Sequence, residues 1–427
     1  MSQYRAYPAY KDSGIEWIGQ VPEHWKVARV KRLASLRNER RNDVSTDTIY
    51  IGLEDVEAGS GQYKPTNGSS RQSEDSTVGI FYEGDVLYGK LRPYLRKAII
   101  SEMAGCCSTE FLVLRAEKTE PKWLQEWLLT PDVTHQIESG CEGAKMPRAD
   151  WWHIGSIEVV YPDQHEQAQI LTTLDRETAR IDALIEKKTR FIELLKEKRQ
   201  ALITHAVTKG LDPNVKMKDS GVEWIGQVPV HWDVVPSTWL FVESKERAHE
   251  DDQHLSATQK YGVISLAEYE RLEGRQVTHA VKNLEQRKHV KLDDFVISMR
   301  SFQGGIERVK ALGCVRSSYV VIQAGDGADK NYFAYLFKSG SYIQGLQATS
   351  SFIRDGQDLN YGNFRQVRLP KPGSDEQMQI AKFLDQETAR IDALARTTEQ
   401  SITLLKERRA AFITAAVTGQ IDLRGKQ

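Results

Sequence analysis

From Leu171 onward, alternating steps of three and four residues land on Leu171, Leu174, Thr178, Ile181, Ile185, Lys188, Ile192, Leu195, Arg199, Leu202 and Ala206, and eight of these eleven are apolar. That is the period of a coiled-coil seam, narrower than the stripe of a helix lying on a globular core. The same walk 210 residues later meets Ala381, Leu384, Thr388, Ile391, Ala395, Thr398, Ile402, Leu405, Arg409, Phe412 and Ala416, again eight apolar in eleven. Two long helices with matching seams are expected to pair, and their polar breaks fall at matched places, as breaks that set register do. Leu184, Leu194, Leu394 and Leu404 fall off the seam and are candidates for binding a second protein. A helix over residues 166–207 would be about 60 Å long. Antiparallel pairing is expected, because a whole domain's length of chain separates the end of the first helix from the start of the second.

Outside the helices the pattern shortens. In residues 26–163 and 233–372, brief apolar runs alternate with turns; "GIFYEGDVLYGKLRPYLRKAII" and "HVKLDDFVISMRSFQGGIERV" both read as strand, turn, strand. Helical pieces fall near "PKWLQEWLLT" and "KNYFAYLFKSG". Each segment is expected to be a mixed α/β (α+β) domain.

The ends of these segments repeat while their middles do not. "KDSGIEWIGQVPEHW" at 11–25 returns as "KDSGVEWIGQVPVHW" at 218–232, identical at thirteen of fifteen positions, and "LDRETARIDAL" at 174–184 returns as "LDQETARIDAL" at 384–394. The chain therefore divides into a junction (1–25), a first domain (26–163), a helix (164–210), a second junction (211–232), a second domain (233–372), a second helix (373–419) and a tail (420–427). After the second helix, "VTGQIDLRGKQ" stops where a KDSG passage would follow, and that passage stands near the N-terminus. The expected architecture is a pseudo-twofold, circularly organised repeat with each junction at one end of the coil.

Composition adds bounds. At 427 residues, 40% apolar and 27% charged, the chain is expected to form more than one folded core. No run is long and apolar enough to span a bilayer and no apolar signal core is present, so a cytoplasmic location is expected. Cys106, Cys107, Cys141 and Cys314 show no metal-ligand spacing and read as buried, reduced thiols; no metal is expected. His24 and His231 recur with the junction, each before a Trp, and read as packing or turn residues.

The net charge of −1 conceals local basic clusters. Residues 26–41 hold seven Lys or Arg against one acid, including Arg37, Arg40 and Arg41, and "GKLRPYLRK" adds Lys90, Arg92, Tyr94 and Arg96. Arg148 follows. The second domain offers Arg300, Gln303 and Arg308 around "RSFQGG", and later Arg354. Basic groups among Gly turns and aromatics suit phosphate contact and base-edge reading, Arg and Gln being able to pair bidentately with guanine or adenine. No phosphate loop, dinucleotide fingerprint, zinc-hydrolase motif or nucleophile elbow is present, so no catalytic residue is assigned.

The junctions, the "DQHEQAQILTTLDRETARIDAL" and "SDEQMQIAKFLDQETARIDAL" passages and the "ALITHAVTKG" ending resemble the specificity subunits of type I restriction-modification systems. "GDVLYGKLRPYL" at 84–95 and "DFVISMRSFQGGIE" at 294–307 also resemble passages of that family's target recognition domains. The resemblance implies two such domains, each reading half of a bipartite duplex DNA site, with the coil setting the spacer between the halves. It implies a non-catalytic subunit that works with two methyltransferase subunits and two restriction motor-nuclease subunits. S-adenosylmethionine, ATP and Mg2+ would be used by those partners, with no cofactor in this chain. Between the two passages Asp85 aligns with Asp294, while Lys90 and Arg92 fall opposite Met299 and Ser301, as expected of domains reading different sequences. Two other classes compete: a stand-alone two-domain DNA-binding regulator, and a scaffold whose domains bind proteins.

Overall fold

The computed structural model describes residues 5–45, 47–66, 76–141, 143, 145–274, 276, 286–298, 301–349 and 360–425, the side chain of Phe302 excepted. The chain forms two compact units, one of residues 1–189 with 400–427 and the other of residues 190–399. Two long helices, Gln164–Lys209 and Ser374–Val417, each give one half to either unit.

In the first unit the start of the first long helix packs on the end of the second, with Ile170, Leu171 and Leu174 against Phe412, Ile413 and Ala416. In the second unit the end of the first helix packs on the start of the second, with Ile203, Ala206 and Val207 in one core with Ile380, Ala381 and Leu384. Both pairings are antiparallel. Of the seam residues, Leu174, Ile192, Leu195, Leu384, Ile391 and Phe412 are buried, and Ile181, Ile185, Ile402 and Leu405 are half-buried. The polar breaks have local answers. Thr178 and Thr388 donate their hydroxyls to the carbonyls of Leu174 and Leu384 one turn back. Arg409 pairs with Asp182 at 2.9 Å in the first unit, and Arg199 with Asp392 at 3.0 Å in the second.

Each divergent segment enters and leaves through one antiparallel strand pair. Lys26–Arg29 lies beside Glu158–Tyr161 with Val27 opposite Val160, and Asp233–Pro236 lies beside Arg368–Lys371 with Val234 opposite Pro370. The register is the same in both, so the differences in length are absorbed between the gate strands.

Inside the gates, sequences with little in common make the same main sheet. In the first domain its strand order is Ala34–Leu36, Phe111–Ala116, Val86–Gly89, Ala98–Ile100; in the second it is Phe241–Ser244, Val320–Ala324, Phe295–Ile297, Glu307–Arg308. One face packs on the helices Pro121–Leu129 and Pro131–Ser139 in the first domain, and on Lys330–Leu336 and Gly340–Gln347 in the second. Where the first domain has a second four-stranded sheet, Arg40–Arg41, Val78–Phe81, Gly105–Cys107 and Tyr50–Ile51, the second has the pairs Leu255–Thr258 with Gly262–Ser265 and Lys288–Val290 with Gly313–Val315.

The repeated junction has a specific task. In both copies the KDSG turn closes identically, Ser13 N–H to Gly19 O and Ser220 N–H to Gly226 O, with Gly14, Gly19, Gly221 and Gly226 at positive φ where a side chain would be strained. The turn delivers a fully buried indole, Trp25 or Trp232. Trp25 Nε1 donates to Glu166 and Trp232 Nε1 to Glu376, in the first turn of each long helix. His24 and His231 sit 2.7 and 2.9 Å from the same carboxylates, so each histidine binds an acid as well as packing in a turn. The next residue completes the clamp. Gln167 accepts from the N–H of Glu120 and Gln377 from that of Asp329, which anchors the domain's own helices to the long helix. In the first unit residues 422–424 close the junction: the Asp422 N–H donates to Arg5 O, Leu423 is fully buried, and Arg424 lies 4.6 Å over the Tyr7 ring. No helix among the described residues is long and apolar enough to cross a membrane.

Candidate nucleic-acid interface

The loop between strands Val86–Gly89 and Ala98–Ile100 carries Lys90, Arg92, Tyr94 and Arg96. Its base is closed by Gly89 N–H to Lys97 O, and its tip is a short turn, Pro93–Leu95. Both flanking arginines adopt left-handed backbone, Arg92 at φ 53 and Arg96 at φ 48. Non-glycine residues rarely take that conformation, and where they do it is held by surrounding structure. Here the hold comes from residues 147–149: Arg92 N–H donates to Pro147 O and Ala149 N–H to Lys90 O. That contact brings Arg148, distant in sequence, beside the loop.

The basic side chains then divide by what they touch. Arg92 is exposed and Lys90 half-exposed, and neither has a carboxylate partner among the described residues. Tyr94 is 50% exposed. Arg148 makes a two-pronged contact to Glu110 at 3.1 and 3.2 Å on the surface, which presents its guanidinium in one orientation. Arg96 is turned inward, with its backbone carbonyl on Gly59 N–H and its guanidinium toward Leu129 O. Arg37 is committed to the fold. It binds the buried Asp85 at 2.7 and 3.1 Å and lies over the Tyr82 ring, and the hydrogen bond to Asp85 raises its pKa further. Arg40 and Arg41 stand exposed on the second sheet, Arg41 paired with Glu39.

In the second domain, Arg300 and Arg354 lie outside the described residues. Gln303 is exposed on the short helix Ser301–Gly304. Arg308 is held by Asp293 and Asn331, and Asp293 itself has positive φ. The helix under Gln303 is tied down by a residue that sequence reading missed: Lys338 Nζ donates to Gly304 O at 2.9 Å and pairs with the buried Glu307. Burial pushes the Glu307 carboxyl up and the Lys338 ammonium down. Nothing in "YLFKSGSY" signals this role, because it exists only where the helix ending at Leu336 meets the sheet. The aligned pair Asp85 and Asp294 does share one, each capping the turn that leads from one sheet to the next through the N–H three residues earlier, of Tyr82 and of Lys291.

The fold defines a class: two α/β domains, each packed on an antiparallel pairing of the two long helices. Solved structures share that architecture. A chain from a type I restriction-modification system, solved to show complex assembly and conformational transition, matches with TM-score 0.68 at 16% identity, over 95% of this chain and 99% of that one. The HsdS subunit of Thermoanaerobacter tengcongensis matches with TM-score 0.52 at 18% identity, over 94% and 98%. In sequence, the chain is similar to the type I restriction enzyme EcoDI specificity subunit of Escherichia coli, 22% identical over 205 residues, 47% of this chain and 46% of that protein. The chain thus matches about half the length of that curated relative. No family model matches. The fold is that of the type I specificity subunits.

Proposed function

We propose that this chain is the non-catalytic specificity subunit of a type I restriction-modification complex, with each domain reading one half of a bipartite duplex DNA site and the helix pair setting the spacer. The observation that carries this reading is the contrast inside the repeat. Gate strands, junction clamps and seam are shared, whereas the loop tips differ, with Lys90, Arg92 and Tyr94 in one domain and Gln303 in the other. A protein that must present two different readers on one frame is built this way; phosphate contacts position it and base contacts specify.

Two methyltransferase subunits modifying adenine N6 with S-adenosylmethionine, and two motor-nuclease subunits using ATP and Mg2+, are the partners this reading assigns, in the cytoplasm. The leucines off the seam are the docking points for such partners: Leu184 (43% exposed) and Leu404 (64%) in the first unit, Leu194 (46%) and Leu394 (45%) in the second. Mapping N6-methyladenine across the source genome with and without this gene tests the proposal. Loss of one bipartite motif on deletion supports it; an unchanged methylome in a strain expressing the methyltransferase overturns it.

A further inference from the structure

Strand Lys288–Val290 of the second domain runs between two partners. Gly313–Val315 lies on one side, with His289 opposite Cys314. On the other side lies the extended segment 246–248, through His289 N–H to Glu246 O and Ala248 N–H to Arg287 O, each 3.0 Å. This backbone places Glu246, His249 and His289 together, with one candidate donor atom from each all lying within 4.8 Å of one another.

The first domain has the same backbone without the cluster. There Ile80 lies opposite Cys106, and Ile80 N–H donates to Glu39 O. Glu39 occupies the place of Glu246, Ile80 that of His289, and Asn42 is the counterpart of His249 by spacing along the segment. The frame therefore does not require these imidazoles. The second domain has added two of them to a carboxylate that both domains possess.

Their surroundings are those of a ligand set. His289 is buried and its Nδ1 lies 2.8 and 3.0 Å from Asp252, so Nδ1 carries a proton and Nε2 is the nitrogen that a neutral ring offers to an ion. A carboxylate behind the remote nitrogen is the usual support of a metal-bound histidine. Asp252 also accepts from the His249 N–H at 2.9 Å, so one residue orients one ring and fixes the loop that carries the other. Glu246 is held through Oε2 by Lys291 at 2.9 Å, while Oε1 faces His249 Nε2 at 3.2 Å. The two rings stack at 4.2 Å, 7° from parallel. A shared ion lies in the plane of both rings, so binding must turn them apart. His249, whose side chain is 58% exposed, is free to do so, whereas His289 is not.

We propose that Glu246, His249 and His289 bind a first-row divalent ion of the Zn2+ class, with Asp252 as positioning residue and a fourth position for water. Two imidazoles and one carboxylate suit such an ion and do not suit Mg2+ or Ca2+, which prefer oxygen. The ion would staple the segment 246–252 to the sheet, and this holds whether or not the domain reads DNA.

The test uses the full chain, stripped with EDTA and titrated with Zn2+ by calorimetry and with Co2+ by visible absorption. One ion per chain is expected, with Co2+ bands of a four- or five-coordinate site. His249→Ala alters an exposed side chain and Glu246→Gln a half-buried one, and each should weaken binding about tenfold or more; Asp252→Asn should weaken it about 10- to 100-fold. Circular dichroism checks that each variant is folded. Absence of Co2+ bands and of Zn2+ uptake by the parent chain, or uptake unchanged by both His249→Ala and Glu246→Gln, overturns the proposal. The first result would leave two histidine–carboxylate pairs that serve only to hold the loop.

Discussion

The clamp on Glu166 and the clamp on Glu376 use the same Trp and His, yet they are not equally furnished. Around Glu376, among the described residues, Trp232 and His231 donate. Around Glu166 the Tyr7 hydroxyl is added at 3.0 Å and Arg424 stands 3.6 Å away, brought there by the backbone pairing of residues 5 and 422. Burial and the neighbouring carboxylate push the Tyr7 hydroxyl well above its ordinary pKa, which keeps it a donor. The repeat preserves the contact between indole and carboxylate, and in the first unit supplements it with Tyr7 and Arg424.

This comparison can be tested through the indoles. Trp25→Ala and Trp232→Ala should each cost about 3–5 kcal/mol, the range for a buried aromatic truncated to Ala. Hydrogen exchange would accelerate in residues 5–30, 164–189 and 400–425 for the first, and within 190–399 for the second. Acceleration spread evenly over both units by either variant would show that they do not unfold separately.

The domains themselves offer the next contrast. Glu307 lies opposite Val296 where Ile99 lies opposite Leu87, so the second domain has a buried ion pair where the first has a buried apolar residue. Lys338→Met should cost about 2–3 kcal/mol, less than the loss of a fully buried partner because the Lys338 side chain is 30% exposed. Adding Glu307→Ile should recover most of that loss, since apolar replacement of a whole buried pair is often neutral. Denaturant melts of the single and double variants decide it.

Smaller effects concern recognition and the extra donors. Arg92→Ala should cost about 1–3 kcal/mol in DNA affinity and relax one base position in one half-site if the guanidinium meets a base edge. A uniform loss over all sequences would mark a phosphate contact. Selection from randomised duplexes separates the two. Glu166→Gln should destabilise more than Glu376→Gln, by about 1 kcal/mol, because both oxygens of Glu166 accept, Oε1 from Tyr7 and Trp25 and Oε2 from His24, whereas Trp232 and His231 share Oε2 of Glu376 and one amide oxygen can still serve both; parallel thermal melts measure the difference.

The seam could be read directly, because a 3.5-residue period needs only the positions of Leu, Ile and Ala. The two strands around the "YEGD" turn were legible for a similar reason, as turn and alternation are local, but only the fold sends Val78–Phe81 and Val86–Gly89 into different sheets. Arg37 shows the limit. In sequence it looks as basic and as available as Arg92, and only the fold turns it toward Asp85. Arg148 shows the converse, since nothing links it to Lys90 until residues 147–149 lie along the loop.

The sequence by itself determined the two helices, the repeated junctions and the division into shared ends and divergent middles, since these rest on periodicity and identity along the chain. The tertiary structure alone decided which arginines are spent on the fold and which remain available. It also decided that Lys338 supports the loop under Gln303, and that His289 meets Glu246 and His249 from forty residues away. Charge and hydrogen bonding act through space at about 3 Å, and chain order does not specify which side chains arrive within that distance.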